Sequence, residues 1–208
     1  MKKKKISIQV IADIICPWCF IGCNHLNKSI LERKDVDFEI DWKTYYLNPS
    51  MPHLGISRKK YMKSKFGEQS NLIESQIIAI ASDYNIKINL DKIETTPNTR
   101  KIHQIINFLK NEGLNKSYNL AFQFMKDYFI DGIDLRDEKY LLKTLTNFTF
   151  SQNISSLKNS KYFESFQPFV NFDFMSGVPI FIFNDKWTLN GAQPPKVIET
   201  AIDIAAKD

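Results

Sequence analysis

Apolar and polar positions alternate along Ile6-Ser7-Ile8-Gln9-Val10-Ile11-Ala12-Asp13, a period of two that predicts a β-strand with one buried face. From Phe20 to Leu31 the spacing turns helical, and Val36-Asp37-Phe38-Glu39-Ile40-Asp41-Trp42-Lys43 returns to strict alternation. Residues 4–47 therefore read as strand, helix and strand, and a crossover through a helix makes the two strands parallel. Asn48-Pro49-Ser50-Met51-Pro52-His53-Leu54-Gly55 then interrupts regular structure.

Between Ser57 and Phe166 the pattern is helical throughout. Ile73, Ile77, Ile80, Ala81 and Tyr84 form one apolar stripe; Ile102, Ile105, Ile106 and Leu109 form a second. Ala121, Phe124, Met125 and Tyr128 follow, then Leu141, Leu145 and Phe148. Thr96-Pro97 has the chemistry of an N-cap and first helical residue, and Gly113 and Gly132 sit where helix C-caps belong. These stripes are core material, not a cofactor box. Near the end, Val178-Pro179-Ile180-Phe181-Ile182-Phe183 is a short apolar strand, and Asn184-Asp185 tolerates the positive φ of a two-residue turn. Lys186-Trp187-Thr188-Leu189 pairs back, and Gly191-Ala192-Gln193-Pro194-Pro195 opens a last helix with Val197, Ile198, Ala201, Ile202 and Ala205 on one face. The order is β-α-β, a helical block, then β-β-α. This predicts an α/β protein whose sheet-bearing unit comprises residues 1–55 and 167–208, with an all-helical subdomain inserted at 56–166.

A chain of 208 residues that is 43% hydrophobic, with 16 Phe, 8 Tyr and 3 Trp, has enough apolar material for a packed core, which argues against disorder. The formal net charge of +5 is mild, and Lys2-Lys3-Lys4-Lys5 is its one basic cluster. We read that cluster as a solvated strand start, with no nucleic-acid or membrane partner. Gln9 and Asp13 break the apolar run near the amino terminus and no small-residue cleavage site follows, so it is not read as a secretory leader. No run of about 18 apolar residues is present to span a membrane. All three cysteines, Cys16, Cys19 and Cys23, lie within eight residues, whereas a secreted scaffold spreads cysteines to staple distant segments. A cytoplasmic setting is expected.

Cys16-Pro17-Trp18-Cys19 occupies the strand-to-helix junction. Cysteines three apart in a first helical turn close a disulfide without backbone movement, since the bridge needs Cα atoms about 4.4–6.8 Å apart. Pro17 suits the first helical position. Cys16 then lies beside free N–H groups and the positive end of the helix dipole, which favour its thiolate, the form that attacks disulfides. Cys16 is the candidate nucleophile and Cys19 the resolving thiol. Trp18 is read as a rim residue shaping the substrate surface. Zinc is the competing chemistry, with Cys16, Cys19, Cys23 and His25 as ligands, but position 25 projects roughly 200° from position 23 on a helix of about 3.6 residues per turn. Cys23 is instead a small core residue, with a Cys19–Cys23 disulfide as the alternative. No metal or cofactor is called for. Asp13 opposes a lowered Cys16 pKa. A turn or capping role is its plain reading, and a proton relay to Cys19 the functional one. His103 and His53, single histidines, read as solvated or core-satisfied; Asp13 and His103 are kept as auxiliary site residues.

Asp13-Ile14-Ile15-Cys16-Pro17-Trp18-Cys19-Phe20-Ile21-Gly22 resembles the active-site motif of the DsbA-like thiol–disulfide oxidoreductases, in particular the FrnE-like branch. Leu47-Asn48-Pro49-Ser50-Met51-Pro52, Pro97-Asn98-Thr99 with His103, Tyr128-Phe129-Ile130-Asp131-Gly132-Ile133-Asp134, Gly177-Val178-Pro179-Ile180-Phe181 and Gly191-Ala192-Gln193-Pro194 follow in order and resemble the family over nearly the whole chain. The resemblance implies a thioredoxin-like fold with a helical insertion, redox exchange at Cys16 and Cys19, and a cis peptide at Val178–Pro179. Val178 and Pro179 then offer backbone to an extended substrate strand. Two departures stand out: Cys23 replaces a usual basic residue, and Phe169-Val170-Asn171-Phe172-Asp173-Phe174-Met175-Ser176 is unusually aromatic.

Strongly oxidising relatives carry Pro-His between the cysteines; Pro17-Trp18 has no imidazole. The expected activity is therefore reduction or isomerisation of disulfides, with a disulfide-containing protein or a small thiol or disulfide as partner, glutathione among the candidates, and the recycling partner left open. Homodimer formation is left open. A glutathione-dependent isomerase or transferase of the hydroxychromene-carboxylate isomerase type is the enzymatic alternative, although such relatives use Ser where Cys16 stands. A non-redox peptide-binding or chaperone module is the alternative from another class.

Overall fold

The computed structural model describes residues 3–149 and 177–208. The first strand, β1 (Lys4–Ala12), is central in a four-stranded sheet of order β2-β1-β5-β6, with β2 at Val36–Thr44, β5 at Ile180–Phe183 and β6 at Trp187–Asn190. β1 and β2 run parallel from Lys4↔Val36 to Ala12↔Thr44, joined through helix α1 (Pro17–Leu31). β5 and β6 complete the sheet antiparallel, connected by Asn184 and Asp185 at φ 50° and 57°, the left-handed pair that a tight hairpin requires. Ile6, Ile8 and Val10 bury one face of β1 in the main core, whereas Ile11 packs with Ile180 and Ile182 on the other. The dithiol segment leaves the sheet from this doubly buried end.

Between the sheet halves lie α2 (Arg58–Phe66), α3 (Ser70–Asp83), α4 (Arg100–Phe108), α5 (Leu114–Phe129) and α6 (Glu138–Leu145), and the last helix is α7 (Pro195–Ala205). α5 lies along β2, where Asn115 accepts from the Ile40 N–H at 2.6 Å and donates to the Phe38 carbonyl at 2.9 Å. Its amide imitates a neighbouring strand and closes that sheet edge. Lys3 and Lys5 pair with Asp37 and Glu39 at the exposed strand start. Among the described residues no helix is long and apolar enough to cross a membrane.

Three sequence expectations are corrected. Thr96 does not cap a helix: it pairs with Ile56 in a two-stranded sheet of β3 (Ile56–Ser57) and β4 (Thr95–Thr96), and α4 begins at Arg100 behind Thr99. Val197 leaves the buried face of α7 and is 39% exposed, and Ile80 is 37% exposed on α3. The aromatic stretch at 169–176 and the boundary near 166 lie outside the described residues.

Candidate active site

The turn after β1 is closed by the Cys16 N–H donating to the Asp13 carbonyl at 3.2 Å, and Cys16 becomes the N-cap of α1, in extended conformation, with Pro17 as first helical residue. Cys16 therefore holds the position that a serine or aspartate cap would occupy, two and three residues ahead of the Trp18 and Cys19 N–H groups. As a thiol it makes no cap hydrogen bond, but its thiolate is favoured. The thiol of Cys19 is the main cause of the lowered Cys16 pKa, with the Cys19 and Trp18 N–H groups adding to it; burial and the Asp13 charge oppose. Cys19 is pushed the other way, well above an ordinary thiol, by burial and by donating to Cys16. The two sulfurs are thus set apart, the thiolate favoured at Cys16 and the thiol at Cys19. Both cysteines are free, and Cys16 is only 3% exposed, so its helix-end position does not make it open. Pro17 and Trp18 are half-buried beside it.

The loop before β5 lies against this dithiol. The Val178–Pro179 peptide is cis, and the Cys16 thiol reaches the Val178 carbonyl at 3.9 Å. The Gly191 N–H donates to the Pro179 carbonyl at 2.8 Å, so β6 and its loop brace the platform from behind. His25, on α1, takes hold of the same loop through Nδ1 and the Gln193 carbonyl at 2.8 Å. Because a carbonyl only accepts, Nδ1 carries the proton; Nε2 is buried and has no partner among the described residues, and the ring meets Tyr84 edge-on at 4.3 Å.

Asp13 and His103 come together behind the dithiol, both fully buried, with His103 Nε2 3.0 Å from Asp13 Oδ1. The Trp42 indole N–H, which can only donate, reaches His103 Nδ1 at 3.3 Å. This fixes the tautomer: Nδ1 accepts, and Nε2–H donates to Asp13. Asp13 Oδ2 accepts from the Leu47 N–H at 2.7 Å and the Thr99 hydroxyl at 3.4 Å. The carboxylate thus joins the end of β1, the loop after β2 and the start of α4 instead of capping α1. Trp42 and Thr99 also belong to this cluster, a role missed in the sequence, where Thr99 stands only within the Pro97-Asn98-Thr99 motif and Trp42 only as a strand apolar residue. Tyr61 was missed too. Burial, with the charges of Asp13 and Cys16, pushes its phenol up to about 12.

Cys23 lies one turn below Cys19, wholly buried, in contact with the Tyr118 hydroxyl, which itself donates to Asn27 at 2.8 Å. Burial pushes its thiol up to about 12. His25 faces Gln193 and Cys23 faces Tyr118, and among the described residues no group of three or more His, Cys, Asp or Glu side chains is arranged to hold a metal ion. His53 is exposed.

The chain is 25% identical to the Bacillus subtilis protein YwbO over 208 residues, 95% of this chain and 96% of that protein. Its fold is similar to that of the probable DsbA oxidoreductase SCO1869 from Streptomyces coelicolor, with a TM-score of 0.77, 18% identity and coverage of 98% and 91% of the two chains. It is also similar to that of the cytosolic disulfide reductase DsbM from Pseudomonas aeruginosa with GSH, with a TM-score of 0.62, 12% identity and coverage of 97% and 100%. Residues 7–203 match the family model of the DSBA-like thioredoxin domain. With a dithiol at a strand-to-helix junction, a thioredoxin-like sheet and a family match over nearly its whole length, the protein belongs to the DsbA-like disulfide oxidoreductases.

Proposed function

We propose that the protein exchanges disulfides through Cys16 and Cys19 and runs in the reducing or isomerising direction. The observation that carries this is the Cys16 sulfur at the N-cap of α1, favoured as thiolate by the Cys19 thiol and 3.9 Å from the Val178 carbonyl. The Cys16 thiolate attacks one sulfur of a substrate disulfide, forming a mixed disulfide and expelling the other sulfur as a thiolate. Cys19 then loses its proton and attacks the Cys16 sulfur, which breaks the mixed disulfide, frees the second substrate thiolate and leaves Cys16–Cys19 oxidised. Two electrons pass from the dithiol to the substrate; a small thiol such as glutathione restores the dithiol by the reverse chemistry. The Val178 backbone beside the nucleophile suits an extended peptide strand.

The direction rests on the balance at Cys16. A dithiol is strongly oxidising when its reduced, thiolate form is strongly stabilised. Here the Cys16 thiolate is favoured, with burial and the Asp13 carboxylate limiting the effect, and Pro17-Trp18 lacks the imidazole that strongly oxidising relatives carry between the cysteines. In this reading the helical insertion begins at residue 56, its boundary near 166 lying outside the described residues, and the cytoplasm, where thiol pools are reduced, is the compartment the protein suits. Two measurements test the proposal. Cys19→Ser should accumulate mixed disulfides through Cys16, since the resolving step is removed; their complete absence refutes exchange. Titration of the wild-type dithiol against glutathione should give a potential more negative than about −180 mV, whereas one near the roughly −120 mV of DsbA would reverse the assigned direction.

A further inference from the structure

We propose that Gly22 is a positioning residue that sets the separation between the dithiol helix and the Val178–Pro179 platform, and thereby favours extended peptide disulfides over small ones. The inference rests on the exchange reaction proposed above. Gly22 lies inside α1, six residues after Cys16 and away from either helix end, where a glycine weakens a helix relative to alanine and needs a packing reason. The reason is on the opposite side of the contact. A methyl group added at Gly22 would come within 2.9 Å of Pro179 Cγ and within 3.1 and 3.3 Å of two Phe181 ring atoms.

These contacts act in the direction left free by the rest of the fold. Pairing of Ile180 with Ile11 fixes the platform along and across the sheet, and the Gly191 N–H holds the Pro179 carbonyl from behind. What remains is the height of the platform above α1. Pro179 Cγ belongs to a ring fused to the backbone, so ring pucker moves it far less than a flexible side chain would move. A Cβ at position 22 must therefore lift Pro179, and with it the Val178 carbonyl that lies 3.9 Å from the Cys16 sulfur. An extended peptide uses Val178 backbone to present its disulfide to Cys16, so it depends on that distance. A small disulfide needs only the sulfur.

The test compares wild type, Gly22→Ala and Gly22→Ala/Phe181→Leu, all as full-length chains. The rate constant for exchange is measured with a disulfide-bonded peptide and with cystamine, alongside thermal unfolding. Gly22→Ala should slow the peptide reaction about 10-fold or more while changing the cystamine rate less than about 2-fold. Shortening Phe181 removes the ring contacts but leaves that with Pro179. The double variant should therefore regain thermal stability without regaining the peptide rate, and it carries the test if the single variant does not fold. Equal loss toward both disulfides, no loss, or a peptide rate restored together with stability would each overturn the role of Gly22. If wild type exchanges with neither disulfide in a Cys16-dependent manner, the proposed reaction itself falls.

Discussion

Asp13 buries its carboxyl group three residues ahead of the sulfur that the proposed chemistry uses as a thiolate, and its surroundings explain how it is tolerated. Three donors converge on it: His103 Nε2, the Leu47 N–H and the Thr99 hydroxyl. A charge without such partners would be expelled or neutralised. Removing the histidine while keeping its neighbours leaves both the carboxylate and the Trp42 N–H short of a partner. His103→Ala should therefore lower stability by on the order of 3 kcal/mol, read from the urea midpoint. Trp42→Phe, which orphans only His103 Nδ1, should lower it by about 1–3 kcal/mol beyond the small change in apolar area. If His103→Ala costs less than about 1 kcal/mol, Asp13 is not held by the histidine. None of this was legible from the residues singly. Asp13 and His103 each had a bland local reading, because a contact between residues 13 and 103 depends on how β1 and α4 come together, which no periodicity reports.

At the scale of elements, α1 combines most of the proposed chemistry on one continuous helix: Cys16, the proposed nucleophile, at its cap, Cys19, the proposed resolving thiol, one turn in, a contact glycine at 22 and a loop anchor at His25. The alternating strands were legible because one face of each meets the core, and the hairpin at Asn184-Asp185 because only certain residues accept its backbone. Thr96-Pro97 misled for a matching reason. Thr is a good cap and Pro a good first helical residue, but pairing with Ile56 is a tertiary event that outweighs local preference. Cys23 shows that motif spacing does not determine reactivity. Its thiol is wholly buried against Tyr118 and pushed up to about 12, so almost none of it is thiolate at neutral pH. Cys23→Ala should leave the exchange rate within about 2-fold of wild type and cost about 1 kcal/mol of stability from the vacated space, measured by stopped-flow exchange and urea unfolding. A drop of 10-fold or more would make Cys23 a participant.

At the scale of the molecule, the dithiol, the cis-proline platform and the helical block must keep one arrangement, and His25 joins all three. From α1 it donates to Gln193 in the loop that braces Pro179, and its ring packs on Tyr84 at the end of α3. Its Nε2 meets no acceptor among the described residues, and Lys28 is a nearby cation. Burial is the main cause of its lowered pKa; the Lys28 charge adds to it, and the bond to the Gln193 carbonyl partly offsets it. The folded protein thus takes up a proton at His25 less readily than the unfolded chain, whose histidine titrates near 6.5. Its contribution is therefore fully present above about pH 6.5 and is lost as the pH falls through that value toward the lower folded-state pKa. The urea midpoint of the wild-type chain should decline over this window, before carboxylate protonation begins. His25→Asn, which can still donate to Gln193 but does not titrate, should remove a measurable part of that slope while costing about 1 kcal/mol at pH 7.5. If its slope between pH 7.5 and 5.5 matches that of wild type, the acid sensitivity arises elsewhere and His25 is a brace alone.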